Sequence, residues 1–347
     1  MRQSLVVVSS LVSGLVSVLA GCAQTSDPSA SAAAAPAPVV VAAPSVSASG
    51  SRIDPAESGT VMRRATLGGA AAHPEGVAVD PTNGDVFVGS SADGNVYRIK
   101  QGTREAVLYH AGGDPGRTAA FGLKVDSYRR LWIAGGPTRS LAVIELDDAS
   151  LKTVFRVPPA EQTFVKDLVF AGPHVYVTDA SRPVIYRLSP GLHNPVLLPW
   201  LDLATTPIRY RPNQTNLSGI VASPDGRWLL AIQAVTGQLW RIDIQRGEVQ
   251  EVKLSRGSLQ HAEGLVLKGP RELYVVRRDD NEVVRVELDA DWTRGNPTHR
   301  LVDAELRHPS AAALTADGLW VVNSQNSRRK PSTPVLPFEM VKIDLPD

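Results

Sequence analysis

Cysteine is almost missing from this chain: Cys22 is the only one among 347 residues. That excludes a disulfide framework and a thiolate metal site. An excess of one charge is also missing, with 36 Lys and Arg against 35 Asp and Glu. No broad electrostatic case for a nucleic-acid partner follows from such a balance. There is no Walker loop and no dinucleotide fingerprint; the glycines stand at turns. Long apolar runs are few. The one at residues 5–19 is short and wrongly flanked for a membrane span.

That run has a different use. Arg2 precedes it and Leu19-Ala20-Gly21-Cys22 ends it. A charged start, a short apolar core and small residues before a cleavage point describe a secretory signal. Its last four residues resemble a bacterial lipobox, so residues 1–22 are expected to be a lipoprotein signal peptide with Cys22 lipidated. Acyl chains anchor a protein without spanning the bilayer. The expected location is the bacterial cell envelope, outside the cytoplasm, with the membrane touched through the lipid alone. Residues 23–58 are mostly Ala, Pro, Ser and Val without periodicity, and read as a disordered tether. Residues 59–347 remain for one folded domain.

Within that domain one phrase keeps returning. Pro74-Glu75-Gly76-Val77-Ala78-Val79-Asp80 opens an apolar alternation, followed by a turn, Val86-Phe87-Val88, a second turn and Val96-Tyr97-Arg98-Ile99. The phrase restarts near Phe121, Lys166, Ser218, Ala262 and Pro309, at gaps of roughly 45 to 52 residues, a spacing that marks propeller repeats. Asn83-Gly84, Asp225-Gly226 and Asp317-Gly318 supply hairpin turns. The reading is all-β: a six-bladed β-propeller with four-stranded blades. Residues 106–109, 151–155 and 249–252 are candidate outer strands. The last blade lacks one, and residues 61–67 have the pattern to fill it and close the ring.

The phrases at Pro74, at Ser218-Gly219-Ile220-Val221 and at Ala262-Glu263-Gly264-Leu265 resemble the gluconolactonase and senescence-marker family of six-bladed propellers. The resemblance implies a divalent metal, usually calcium, at the channel mouth, assisting hydrolysis of a lactone or ester. It places Glu75 and Glu263 as ligands. Ser218 stands where an Asn is expected, with Asn216 two residues away, and Lys166-Asp167 replaces an Asn-Asp pair. An ammonium beside a divalent cation is repulsive, and calcium takes six to eight oxygens. The alternative is that Lys166 neutralises Glu75 and Glu263 in a metal-free site.

Histidines form a second constellation. His73 and His261 each precede a Glu by two, and His308 holds the equivalent place in the last repeat. Three imidazoles near two carboxylates suit zinc or manganese better than calcium, and His beside carboxylate suits a general base. The candidate bases are therefore Asp167, His73 and His261. The longer approach to the fourth phrase carries Arg209, Tyr210 and Arg211. With Lys166 and His308 they are candidates to contact an anionic or sugar-like ligand. Two functions stand: a metal-assisted hydrolase, or a non-catalytic propeller binding a small molecule or partner protein through the same face.

Overall fold

The computed structural model describes residues 61–69, 72–113, 117–160, 162–190, 193, 195–316, 318–326 and 333–346. The expected lipid site Cys22 and the tether over 23–58 lie outside them. Twenty-four strands and one short 3₁₀ turn, Leu203–Thr205, make up the described elements. No helix among the described residues is long and apolar enough to cross a membrane.

Strands pair in antiparallel runs of four. The first run is Pro74–Val79, Val86–Ser90, Val96–Ile99 and Glu105–His110. The second is Leu123–Val125, Arg130–Ala134, Ser140–Glu145 and Leu151–Arg156. The third is Val165–Ala171, His174–Asp179, Val184–Leu188 and Leu198–Asp202. The fourth is Leu217–Ala222, Trp228–Gln233, Gln238–Asp243 and Val249–Leu254. The fifth is Ala262–Lys268, Glu272–Arg277, Glu282–Leu288 and Arg294–Val302. The last is Pro309–Thr315, Gly318–Asn323 and Phe338–Ile343, with Val61–Leu67 against its outer edge. There Leu67 lies opposite Phe338 and Val61 opposite Ile343.

These runs form four sheets, two of four strands and two of eight. Each eight-stranded sheet is two runs joined by a two-residue parallel contact between outer strands. Thr66 and Leu67 meet Glu105 and Ala106 in one, and Lys253 and Leu254 meet Arg294 and Gly295 in the other.

The alternation of apolar residues explains how the runs stack. A strand shows its side chains to both faces in turn, and here both faces meet a neighbouring run. Trp132 packs with Val175 of the next run, Tyr176 with Leu229, and Trp228 with Leu273. Tyr274 packs with Leu319, and Phe338 with Val88 of the first run. Trp132, Trp228, Trp240 and Trp320 are all buried, as expected of core residues. Each fully buried Val, Leu or Ile contributes about 1.5–3 kcal/mol of transfer free energy. The first strands also touch in order, from Pro74–Val79 through the successive runs to Pro309–Thr315 and back to Pro74–Val79.

Candidate functional site

The first strands begin at one level, and the residues they present there are Glu75, Phe121, Lys166, Ser218, Glu263 and Ser310, one from each run. All six line one cavity. Glycine one position on makes this approach possible. A Cβ on Gly76 would lie 1.4 Å from the Phe121 carbonyl oxygen, and one on Gly219 2.7 Å from that of Glu263. In the third run that position is Asp167, whose carboxylate accepts a hydrogen bond from the Ile220 amide at 3.2 Å and lies 3.7 Å from Lys124 Nζ.

Two carboxylates and two cations fill the mouth. Lys166 Nζ donates to Glu75 Oε1 at 2.8 Å and stands 3.3 Å from Glu263 Oε2. Arg278 Nη2 approaches Glu75 Oε1 at 2.5 Å and Glu263 Oε1 at 3.7 Å. Ser218 Oγ donates to Glu263 Oε2 at 2.8 Å, and Ser310 Oγ to the Glu75 carbonyl at 2.6 Å. The Lys166 ammonium also sits 5.0 Å from the centre of the Phe121 ring. Glu75, Lys166, Glu263 and Arg278 are all buried. Burial alone would raise the Glu75 carboxyl, but the Arg278 and Lys166 charges more than offset it and hold it below its ordinary value. Burial pulls the Arg278 guanidinium down, while Glu263 and Glu75 together push it above its ordinary value. The remaining space is about 30 Å³, room for a water molecule or two.

The sequence had singled out Glu75, Lys166, Ser218 and Glu263, and the fold brings all four together. It had not singled out Arg278. That residue follows the second strand of its run and donates its backbone amide to the His261 carbonyl. Ser91, Ala180 and Ala234 make the corresponding bonds to His73, Phe164 and Asn216. An arginine where other repeats hold a small residue was the available signal.

The histidines share a backbone position. His73, His261 and His308 have φ of 29°, 69° and 46°, in the left-handed region. Their rings have different neighbours. His73 packs on Phe338 with centroids 5.1 Å apart. His261 Nδ1 is 2.9 Å from Asp280 Oδ2. His308 Nδ1 faces Asp279 Oδ1 at 3.9 Å, and its amide donates to Asn281. No group of three or more His, Cys, Asp or Glu with metal-holding geometry occurs among the described residues.

The long loop is fastened at several points. Tyr210 donates its hydroxyl to the Asp179 carbonyl at 2.8 Å, and burial together with nearby Asp179 raises its phenol well above the ordinary value. Asn216, fully buried, accepts from the Arg211 amide and donates to the carbonyls of Ala180, Arg211 and Gln214. Its amide is thus used up as the clasp of the loop. Arg209 and Arg211 are exposed on that loop.

No protein-family description and no curated protein matches the chain. Solved structures do. An allergen, Mala s 1 of Malassezia sympodialis, superposes with a TM-score of 0.59 at 15% identity, over 82% of this chain and 97% of that one. The PQQ-bound aldose sugar dehydrogenase of Streptomyces coelicolor gives 0.56 at 15%, over 83% and 98%. A catalytically inactive virginiamycin B lyase from Staphylococcus aureus with quinupristin gives 0.55 at 12%, over 82% and 98%. These are β-propeller proteins, and the fold of this chain is of that class. At such identities the likeness is one of fold, and function has to be argued from the site.

Proposed function

We propose that the chain is a six-bladed, ring-closed propeller, lipid-anchored in the cell envelope through Cys22, that binds a ligand or partner through its mouth face without metal catalysis. Support for the ring is the cyclic packing of first strands and the pairing of Val61–Leu67 with Phe338–Ile343. Support for a binding rather than hydrolytic role is one observation: Lys166 Nζ and Arg278 Nη2 lie between Glu75 and Glu263. The carboxylates that the gluconolactonase resemblance assigns to a cation are already neutralised by the protein's own cations. Ser218 is turned to Glu263, and Asn216 is consumed in the loop clasp. This donor set does not fit calcium, which needs more oxygens and no adjacent ammonium.

The test is metal analysis of the purified chain together with lactone hydrolysis. The expected result is substoichiometric metal and no turnover above the buffer rate. Stoichiometric metal that disappears, with lactonase activity, in Glu75→Gln/Glu263→Gln would return the hydrolase reading. A second reading keeps catalysis without metal. The bond between His261 Nδ1 and Asp280 orients the imidazole as a general base requires. A hydrolase activity lost in both His261→Asn and Asp280→Asn, with unchanged folding, would establish it.

A further inference from the structure

Arg117 is a cation 1% exposed, and neutral groups rather than a carboxylate hold its guanidinium. Nη1 donates to the Gly94 carbonyl, and Nη2 donates to the Ala111 carbonyl at 2.8 Å. Nη2 also lies 2.7 Å from His110 Nδ1. Burial pulls the guanidinium down to about 10, against the attraction of Asp93. The outer strand Glu105–His110 of the first run ends at that histidine. Glycines then let two loops interlock around Arg117. A Cβ on Gly94, whose φ is 76°, would lie 2.3 Å from the Arg117 carbonyl oxygen, and one on Gly112 1.9 Å from that of Asp93. Gly113 donates its amide to the Arg117 carbonyl at 2.9 Å, and Gly112 donates to Asn95 Oδ1 at 2.8 Å. Three residues on, Ala120 donates to the Ser90 carbonyl at 2.8 Å, and Phe121 follows at the mouth cavity beside Lys166. Arg117 thus fastens the stretch that delivers Phe121 to the mouth.

His110 Nδ1 is also 2.7 Å from the Ala111 carbonyl oxygen. Two acceptors at that distance repel unless a donor serves them. With the imidazole neutral and its proton on Nε2, the donor is Arg117 Nη2, which reaches both. A proton on Nδ1 would bond the Ala111 carbonyl directly and set a second positive charge against the guanidinium. Like charges in contact disfavour each other. The charged groups on the neighbouring elements do not relieve this. Asp93 spends its carboxylate on the Asn95 amide and side chain, at 3.0 and 2.8 Å. Arg98, on the strand Val96–Ile99, lies over the Tyr109 ring at 5.1 Å. Thr118, Ala119, Ala120 and Phe121 carry no charge, and Asp114 lies outside the described residues.

We propose that His110 is an acid-operated release for this clamp: once protonated, its Nδ1 takes the Ala111 carbonyl, repels the Arg117 guanidinium and loosens the mouth rim between the first and second runs. Burial first, and then the Arg117 charge, lower the imidazole below its ordinary value of 6.5, against the bond to Ala111. Folding therefore favours the neutral ring. The contribution of the clamp is fully present above the ordinary value and is lost as pH falls through the lowered folded value. Histidine is the side chain that changes charge in this range. The device is independent of what the mouth binds and of any metal there, because none of its groups belongs to the Glu75 and Glu263 cluster.

The experiment follows the full chain carrying Cys22→Ser by NMR from about pH 7.5 to about pH 5, across the histidine range. The His110 ring nitrogens report tautomer and titration, and hydrogen exchange, corrected for its intrinsic pH dependence, reports the Gly113 and Ala120 amides. At neutral pH the proton should be on Nε2. As His110 titrates, protection of Gly113 and Ala120 should fall about tenfold, the worth of one hydrogen bond to a charged group. The Asn216 and Ala234 amides of the fourth run should hold theirs. His110→Asn keeps an acceptor near the Nδ1 position without a titrating group, and should keep the neutral-pH protection throughout. Arg117→Gln should show the low protection at both ends of the range. A neutral ring protonated on Nδ1, protection that does not change with pH, or an acid loss that persists in His110→Asn overturns the proposal. If the variants fold poorly, the parent decides alone: a loss of protection whose midpoint departs from the His110 titration overturns it, and coincident midpoints support it.

Discussion

Arg278 shows how one side chain changes the chemistry of a site. Without it, Lys166 alone would face two carboxylates, and two buried like charges repel. Removing one partner of a buried, hydrogen-bonded charge set typically costs about 3–5 kcal/mol. Arg278→Ala should therefore lower the unfolding free energy from urea titration by an amount of that order, whereas Arg246→Ala, on an exposed turn, should leave it unchanged. Lys166→Asn/Arg278→Ser removes both cations and leaves the two carboxylates with neutral neighbours. That double variant should gain calcium binding by calorimetry where the parent shows none; equal calcium binding by both would contradict the neutralisation argument. Glu75, Lys166 and Glu263 were legible because each begins a strand in a repeating phrase, and a repeat assigns equivalent positions in space. Arg278 was not, because it stands just past the second strand, where the other repeats hold Ser91, Ala180 or Ala234, and meets Glu75 from 203 residues away. The separation of the three imidazoles, each with its own neighbour, was not legible either. Shared backbone position does not fix where a ring points.

At the scale of strands the sequence was most informative where burial is two-sided. First and second strands carry nearly continuous apolar runs and were located closely. The outer strands Leu198–Asp202 and Arg294–Val302 were not, since each contains a proline, Pro199 and Pro297, and only Gly295, Pro297 and Leu301 among their residues are buried. Proline is tolerated there because an outer strand has one unpaired edge. Both register shifts in those strands fall at the proline pairs, Tyr186 with Pro199 and Val286 with Pro297. The strand Val61–Leu67 is the opposite case: far from its partner in sequence, yet marked by pattern. It buries Ala65 and Leu67 against Phe338 and Met340. Truncation to residue 59 should leave a monomeric, cooperatively unfolding protein. Truncation to residue 68 exposes the edge of Phe338–Ile343 and should aggregate, as size-exclusion chromatography with circular dichroism will show. Matching elution and melting of the two truncations would remove this strand from the account. Gly76→Ala tests the crowding of first strands. Its Cβ meets backbone rather than a flexible side chain, so the loss should be about 3 kcal/mol or more, against about 1 kcal/mol for Gly172→Ser, which has open space and is strained only by its left-handed φ of 54°.

For the molecule as a whole, pH ties the mouth to stability. The Glu75 carboxyl is held below its ordinary value of 4.5 when folded. Its contribution is therefore fully present above that value and is lost as pH falls through the depressed folded value. Arg278, pushed above its ordinary value by Glu263 and Glu75 against the pull of burial, stays charged throughout the range where the protein is handled. Asp179 acts with the opposite sign. Burial raises it above 3.8, against hydrogen bonds from the Arg182, Phe164 and Ser181 amides and the Tyr186 hydroxyl. Its neutral form is favoured by folding, so stability gains from Asp179 as pH falls below its folded value. The two effects have opposite signs in acid. Glu75→Gln should flatten the acid loss while lowering stability at neutral pH, because Lys166 and Arg278 lose part of their compensation. Asp179→Asn should instead steepen the acid loss. Melting temperatures from pH 3 to 8 for the three proteins, each measured with and without calcium, decide the matter. A metal-held mouth predicts that calcium raises the neutral-pH melting temperature of the parent and not of Glu75→Gln. The ion-pair mouth predicts no calcium effect on either, with neutral-pH stability and the acid limb separating them.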